Sequence, residues 1–144
     1  GTYYDFPEIK FEPKPPQGHI PVWIGGSSEP AYCRTARFGD CFHAAFEAID
    51  VVAGEWQRVQ EVVAESGRSV DEVTLSTRLY LDPKNHMKPE LSIGGSTEQM
   101  IDTMSAWATI GTSHVLVDIT APGGPEGRLD AMRKFMVDVV PNVT

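Results

Sequence analysis

A short apolar run followed by a segment of helical character recurs four times along the chain. The first run, Ile20-Pro21-Val22-Trp23-Ile24, closes on Gly25-Gly26-Ser27-Ser28. Glu29 to Phe38 then reads as a helix capped by Ser27 or Ser28, started by Pro30 in its first turn and stopped at Gly39. Cys41 to Phe46 is a second strand. Ile49 to Glu65 follows as a helix, with Val51, Val52, Trp56, Val59, Val62 and Val63 at roughly helical spacing, and ends at Gly67. From Val73 to Leu81 apolar and polar residues alternate, which places Thr74, Ser76, Arg78 and Tyr80 on one face and Val73, Leu75, Thr77, Leu79 and Leu81 on the other. A long loop from Asp82 to Gly95 leads to Ser96-Thr97-Glu98-Gln99, a capping-box start for a helix running to Ile110. His114 to Ile119 is the fourth strand, and Glu126 to Val140 the last helix before Pro141. Strands joined through helices run parallel with right-handed crossovers. A complete eight-fold barrel needs ~200–250 residues. Four βα units in 144 residues therefore imply half a barrel or a small open doubly wound sheet.

Composition narrows the function classes. Twelve Lys and Arg against twenty Asp and Glu give a net charge of −8, and no basic cluster is dense enough to track a phosphate backbone, which argues against nucleic acid as a partner. No apolar run reaches the ~18 residues of a membrane helix. Cys33 and Cys41 form no CxxC pair and read as reduced thiols in a cytoplasmic protein. Residues 1–19 are aromatic and Pro-rich, an extended lead-in without signal-peptide character. Gly1 in place of Met implies a trimmed start or a chain that begins within a longer protein. With only four βα units, residues 1–144 are expected to form a single partial domain.

The turn Gly25-Gly26-Ser27-Ser28 lies between a strand and a helix, where free N–H groups and the helix dipole can hold an anion. Glycines let the backbone approach it, and the two hydroxyls add donors. Against this, Gly and Ser suit any strand-to-helix turn, and Glu29 places a negative charge in the same first turn. A second Gly94-Gly95 pair follows a loop and no strand, which suits a hinge and helix cap. His43 and Asp118 are expected at the C-terminal ends of strands, where barrel active sites are built, and Arg78 near that end of its own strand, as candidate substrate contacts in the barrel mouth. A residue of any of these three kinds is more often a structural hydrogen bonder or salt-bridge partner. His114 and Asp118 on one strand are roughly 13 Å apart, too far for a shared metal, and none is expected. No Gly-x-Ser-x-Gly elbow, phosphate-binding Walker loop or HExxH is present, which fits a chemistry carried by a cofactor.

The stretch from Phe11 to Ser27, FEPKPPQGHIPVWIGGS, resembles the PKPxQ…PPIWIGG signature of luciferase-like monooxygenases. Arg34, Ala36, Arg37, Phe38, Gly39 and Asp40 continue it, and Ser66-Gly67-Arg68, the run from Gly94 to Gln99 and the helix end near Val140-Pro141 match in order. Cys41-Phe42-His43 departs from the usual Gly-Trp. The resemblance aligns the chain with the C-terminal half of a (β/α)8 TIM barrel, strands five to eight. It implies an FMN- or coenzyme F420-dependent oxidoreductase, with Gly25, Gly26, Ser27 and Ser28 holding the cofactor phosphate and the loop after Leu81, with Lys84, His86 and Lys88, resembling a mobile lid. The chemistry implied is hydride transfer to or from F420, or activation of O2 by reduced FMN, on a small-molecule substrate. Two alternatives stay open: a flavin-independent TIM-barrel enzyme acting on a phosphorylated metabolite, and a catalytically inert half-barrel. A half-barrel leaves its inner face and two sheet edges uncovered, so a homo-oligomer is expected, most simply a two-fold dimer.

Overall fold

The computed structural model describes residues 2–10 and 12–144; Gly1, and Phe11 at the head of the signature-like stretch, lie outside the described residues. The strands are β1 (Trp23–Gly25), β2 (Cys41–Ala45), β3 (Thr74–Asp82), β4 (Ser92–Gly94) and β5 (Thr112–Ile119). The α-helices are α1 (Glu29–Phe38), α2 (Ile49–Glu65), α3 (Thr97–Thr109) and α4 (Gly124–Lys134). All strand pairs are parallel: β1 on β2, β2 on β3, and β5 on the other edge of β3. The short β4 pairs Ser92, Ile93 and Gly94 with Tyr80, Leu81 and Asp82, continuing the β3 edge that β2 occupies lower down. This is a parallel α/β sheet of successive βα units, as the chain's periodicity requires.

Helices cover one face only. Phe42, Leu75, Leu79, Leu81 and Ile93 point into that layer and are fully buried. Val52, Trp56, Val59 and Val63 present one face of α2 to them at helical spacing, while Val51 stays outside. Thr35 and Ala36 of α1 are buried against the same core. The opposite face of the sheet is open to solvent, with Trp23 and Leu116 both 40% exposed.

Four local expectations need correction. The first strand is three residues, not the run from Ile20, because Pro21 has no N–H and the Val22 amide is taken by the Asp40 carboxylate at 2.7 Å. The stretch before Gly94-Gly95 contains β4 after a turn of 3-10 helix at Pro89–Leu91, so the second glycine pair does follow a strand. It escapes sequence reading because three residues are too few to show a period. Ser28 is the N-cap of α1, but neither it nor Ser27 caps through its side chain. The last helix is not continuous from Glu126 to Val140: α4 starts at Gly124, widens into a π turn at Phe135–Val139 and ends in 3-10 helix at Val140–Asn142. Pro141, lacking an N–H, cannot continue the α pattern there.

Candidate functional site

The Gly25–Ser28 turn is built by strand register. Gly25 pairs with His43, so β1 ends level with the middle of β2, and the chain turns there into α1. Gly26 holds φ at +115°, in the region that favours glycine, and a Cβ there would sit 3.4 Å from the Cβ of Ala31. The Ser28 carbonyl accepts from the Ala31 and Tyr32 amides at 2.8 and 3.0 Å, which starts the helix without using the Ser28 hydroxyl. Pro30 removes one donor, and the first-turn amides of Ser28 and Glu29 have no intrahelical partner. The Glu29 carboxylate is held from α2 by Arg58, with Nε donating to Oε1 at 2.7 Å and Nη2 to Oε2 at 3.3 Å, and this pairing keeps its pKa below the ordinary carboxylate value. Its charge is thereby engaged with a cation on the neighbouring helix.

The second glycine pair makes a different terminus. Ser96 Oγ accepts from the Gln99 amide at 3.3 Å while the Ser96 amide donates to Gln99 Oε1 at 2.8 Å, a closed capping box that satisfies its own donors. The capping box expected at Ser96–Gln99 is present. The loop between β3 and β4 is pinned at its base, where Asp82 Oδ2 accepts from the Met87 amide and the Asp82 carbonyl from the Asn85 amide at 3.0 Å. Lys84, His86 and Lys88 are exposed on it.

Register also builds a polar and aromatic floor on the open face. Gly25, His43, Ser76 and His114 are successive partners across β1, β2, β3 and β5. His43 Nδ1 faces Ser76 Oγ at 2.8 Å. The Trp23 ring lies 5.8 Å from the His43 ring and 5.4 Å from that of His114, edge-on to the latter. His43 is held below the ordinary histidine pKa, first by burial and then by the Arg78 guanidinium, both of which favour its neutral form. Toward the C-terminal ends of the strands, Arg78 forms a two-point ion pair with Asp118: Nε to Oδ2 at 3.1 Å and Nη2 to Oδ1 at 3.0 Å. The same guanidinium lies 5.2 Å from the ring centre of Phe46, which stacks on Tyr80 at 4.5 Å.

The structure therefore gathers the sequence candidates on one face at one end of the sheet, with two adjustments. His43 is in the middle of β2 and Arg78 in the middle of β3, and both reach the mouth because β1 and β2 end early: Gly25 is level with His43, and Ala45 with Arg78. Arg78 is also not a free cation, since Asp118 already meets two of its donors. Trp23, Ser76, Phe46 and Tyr80 were not singled out as site residues. Strand parity alone could have found Ser76 and Tyr80, which alternate with Arg78, whereas Phe46 joins them through a left-handed backbone at φ 56°. Among the described residues no group of three or more His, Cys, Asp or Glu could hold a metal ion, and no helix is long and apolar enough to cross a membrane.

A family profile described as Luciferase-like monooxygenase matches residues 1–86. No curated protein matches the sequence. The coenzyme F420-dependent tetrahydromethanopterin reductase of Methanopyrus kandleri superposes with a TM-score of 0.69 at 13% identity, over 87% of this chain and 51% of that one. Riboflavin lyase (RcaE), solved with modified FMN and riboflavin, gives 0.66 at 14% identity over 88% and 43%. EDTA monooxygenase (EmoA) from Chelativorans sp. BNC1 gives 0.66 at 15% identity over 91% and 48%. The chain spans about half the length of these structures, and what they share with it is the fold.

Proposed function

Because the chain belongs to the luciferase-like monooxygenase family, we propose that it forms the cofactor-phosphate half of an FMN- or F420-dependent oxidoreductase barrel. The observation that carries this reading is the contrast between the two glycine-serine turns: the one before α3 is closed by its own capping box, whereas the one before α1 leaves the Ser28 hydroxyl uncommitted. Gly25 and Gly26 let the backbone approach a phosphate, and the Ser27 and Ser28 hydroxyls with the first-turn amides donate to it. The similarity to structures described as F420-dependent and as containing modified FMN supports both cofactors equally.

When bound, the cofactor supplies the redox chemistry, and the protein's part is binding, orientation and exclusion of water. His43, neutral and engaged at Nδ1 by Ser76, offers Nε2 to a ring or substrate atom. Trp23 and His114 flank it as an aromatic wall. Arg78 and Asp118 form a mutually neutralising pair that orients polar substrate groups without presenting net charge. The setting is the cytoplasm, where Cys33 and Cys41 stay reduced; both are free thiols.

The test is titration of FMN, F420 and a sugar phosphate against the protein and its Gly26→Asp variant. Binding of FMN or F420 that Gly26→Asp abolishes is expected. Failure of both cofactors to bind, or binding indifferent to the substitution, overturns the phosphate assignment, and sugar-phosphate binding without flavin favours a flavin-independent enzyme.

The open face adds a second element to the reading. Among the described strands β1 pairs only with β2 and β5 only with β3, which leaves two sheet edges and the Trp23–Leu116 face uncovered. These 144 residues alone are therefore expected to show no turnover, and a second copy related by a two-fold axis is the partner that covers the face. Measurable oxidoreductase activity from this chain alone sinks the first statement; a stable monomer at micromolar concentration in sedimentation sinks the second.

A further inference from the structure

Two histidines stand on either side of Ser76 on the open face: His43 is its register partner on β2 and His114 its partner on β5. Each ring lies against the Trp23 indole, and each has Nδ1 within hydrogen-bond distance of a serine hydroxyl. The two serines differ, and a proton count on them fixes which ring nitrogen carries hydrogen.

Ser76 is fully buried, and among the described residues its hydroxyl reaches one partner, His43 Nδ1 at 2.8 Å. The hydroxyl proton therefore has a single acceptor. With hydrogen on Nδ1 instead, the Ser76 oxygen would accept and its own proton would be buried unpaired, which costs about tenfold in population. Ser76 thus donates to Nδ1, and neutral His43 carries its proton on Nε2. That nitrogen has no partner among the described residues and is not sealed from solvent. A second proton could enter only at Nδ1, against the Ser76 hydroxyl; burial and the Arg78 guanidinium oppose it too.

Ser113 works the other way. It is the extra residue of a bulge, since Thr112 is opposite Leu75 and His114 is opposite Ser76. Its hydroxyl lies 3.0 Å from the Leu75 carbonyl oxygen and 2.9 Å from His114 Nδ1. A carbonyl can only accept, so the hydroxyl proton goes to Leu75 and the Ser113 oxygen accepts from Nδ1. No other assignment makes both contacts hydrogen bonds. Neutral His114 therefore carries its proton on Nδ1, and its Nε2, without a partner among the described residues, keeps a free lone pair. Bulges recur beside active sites, where they re-aim a side chain.

We propose that Ser76 and Ser113 are positioning residues that lock the two histidines in opposite tautomers, so that His43 gives the open face a fixed N–H donor and His114 a proton acceptor. The roles rest on the reading of this face as the one that binds cofactor and substrate. His43 Nε2–H pairs with a carbonyl or anionic oxygen of the bound molecule, and His114 Nε2 receives a hydroxyl or N–H. Where that group loses its proton, the proton passes to Nε2 and leaves an imidazolium still bonded to Ser113.

The ring nitrogens report their protons directly. In a long-range 1H–15N spectrum of the 15N-labelled chain at mildly alkaline pH, His43 is expected to show a bare Nδ1 and a protonated Nε2, and His114 the reverse. His43→Asn and His114→Asn assign the signals. Ser113→Ala is expected to release His114 toward the opposite tautomer and to leave His43 unchanged. Diethyl pyrocarbonate, which acylates a bare ring nitrogen, is expected to modify His114 and spare His43. The proposal is overturned if both rings show the same tautomer, if His114 keeps its proton on Nδ1 alone in Ser113→Ala, or if His43 is acylated as fast as His114. The wild-type spectrum decides the tautomers even if Ser113→Ala does not fold. Every readout is taken without cofactor, so a wrong tautomer pattern removes the histidine roles only, whereas failure of FMN and F420 to bind removes the phosphate assignment only.

Discussion

His43 Nδ1 lies 2.8 Å from the hydroxyl of Ser76, side chain to side chain across β2 and β3. With burial and the Arg78 guanidinium acting on the same ring, His43 titrates below its ordinary 6.5. A base whose folded pKa is depressed contributes stability that is fully present above the unfolded value and is lost as pH falls through the folded one, because the unfolded chain binds the proton first. Stability should therefore decline as pH drops below about 6.5. An NMR titration of the His43 ring checks the cause: Arg78→Gln should move the midpoint upward but not fully to 6.5, since burial is the larger effect. A wild-type midpoint at or above 6.5 contradicts this.

The two glycine-serine turns should respond differently to the same substitution. Ser96→Ala breaks a capping box and should cost about 1 kcal/mol in denaturant unfolding. Ser28→Ala removes no capping bond and should cost under about 0.5 kcal/mol while lowering affinity for FMN or inorganic phosphate. Equal stability losses would mean that the Ser28 hydroxyl caps α1 after all, leaving it unavailable to a ligand.

How much of this was legible in the sequence depends on what each residue does. The long alternating strand β3 and the valine stripe of α2 announce themselves by period, and with them the parallel α/β class. The capping box at Ser96–Gln99 is likewise a local pattern with a local cause. The floor of the site is not local: Trp23, His43, Ser76 and His114 come from four strands and meet only through register. The left-handed backbone of Phe46 and the three-residue β4 leave no periodic trace at all. The motif residues that carry the family resemblance are largely scaffold, as Arg68 and Asp40 illustrate.

Arg68 Nη1 donates to the carbonyls of Thr35, Ala36 and Gly39 at 3.4, 2.9 and 3.0 Å, closing the C-terminal end of α1 from the turn after α2, while its Nε pairs with Glu72 at 3.1 Å. The Thr35 carbonyl also accepts from the Gly39 amide at 2.8 Å, whereas those of Ala36 and Gly39 are helix-end acceptors beyond the last i to i−4 bond. Arg68→Ala should destabilise the fold by about 2 kcal/mol, as expected for charge-assisted bonds to partly buried acceptors. Arg68→Lys should recover only part of this, because an ammonium lacks the planar fork. Chemical denaturation of the three proteins checks the order; an unchanged midpoint for Arg68→Ala would show that water caps α1 equally well.

Asp40 fastens the lead-in to the sheet. Its Oδ2 accepts from the Val22 amide at 2.7 Å and meets His19 Nε2 at 2.9 Å, while the Asp40 and Cys41 amides both donate to the Val22 carbonyl. The Val22 amide, then His19, hold the Asp40 carboxyl below the ordinary carboxylate value. A carboxylate so depressed contributes stability that is present above its unfolded pKa and is lost as pH falls through the folded one. The consequence is local, because β1 begins at Trp23, the residue after the clasp. Hydrogen exchange at the Val22 amide should be slow at neutral pH, with its protection lost in Asp40→Ala and, in the wild type, only at a pH below the ordinary aspartate range. His19→Ala should weaken the protection less, since the Val22 amide is the larger influence on Asp40. Because β1 hands the chain directly to the Gly25–Ser28 turn, Asp40→Ala should also weaken binding of FMN or phosphate there, and unaltered affinity in a variant whose Val22 amide exchanges freely would show that the turn is set by α1 alone.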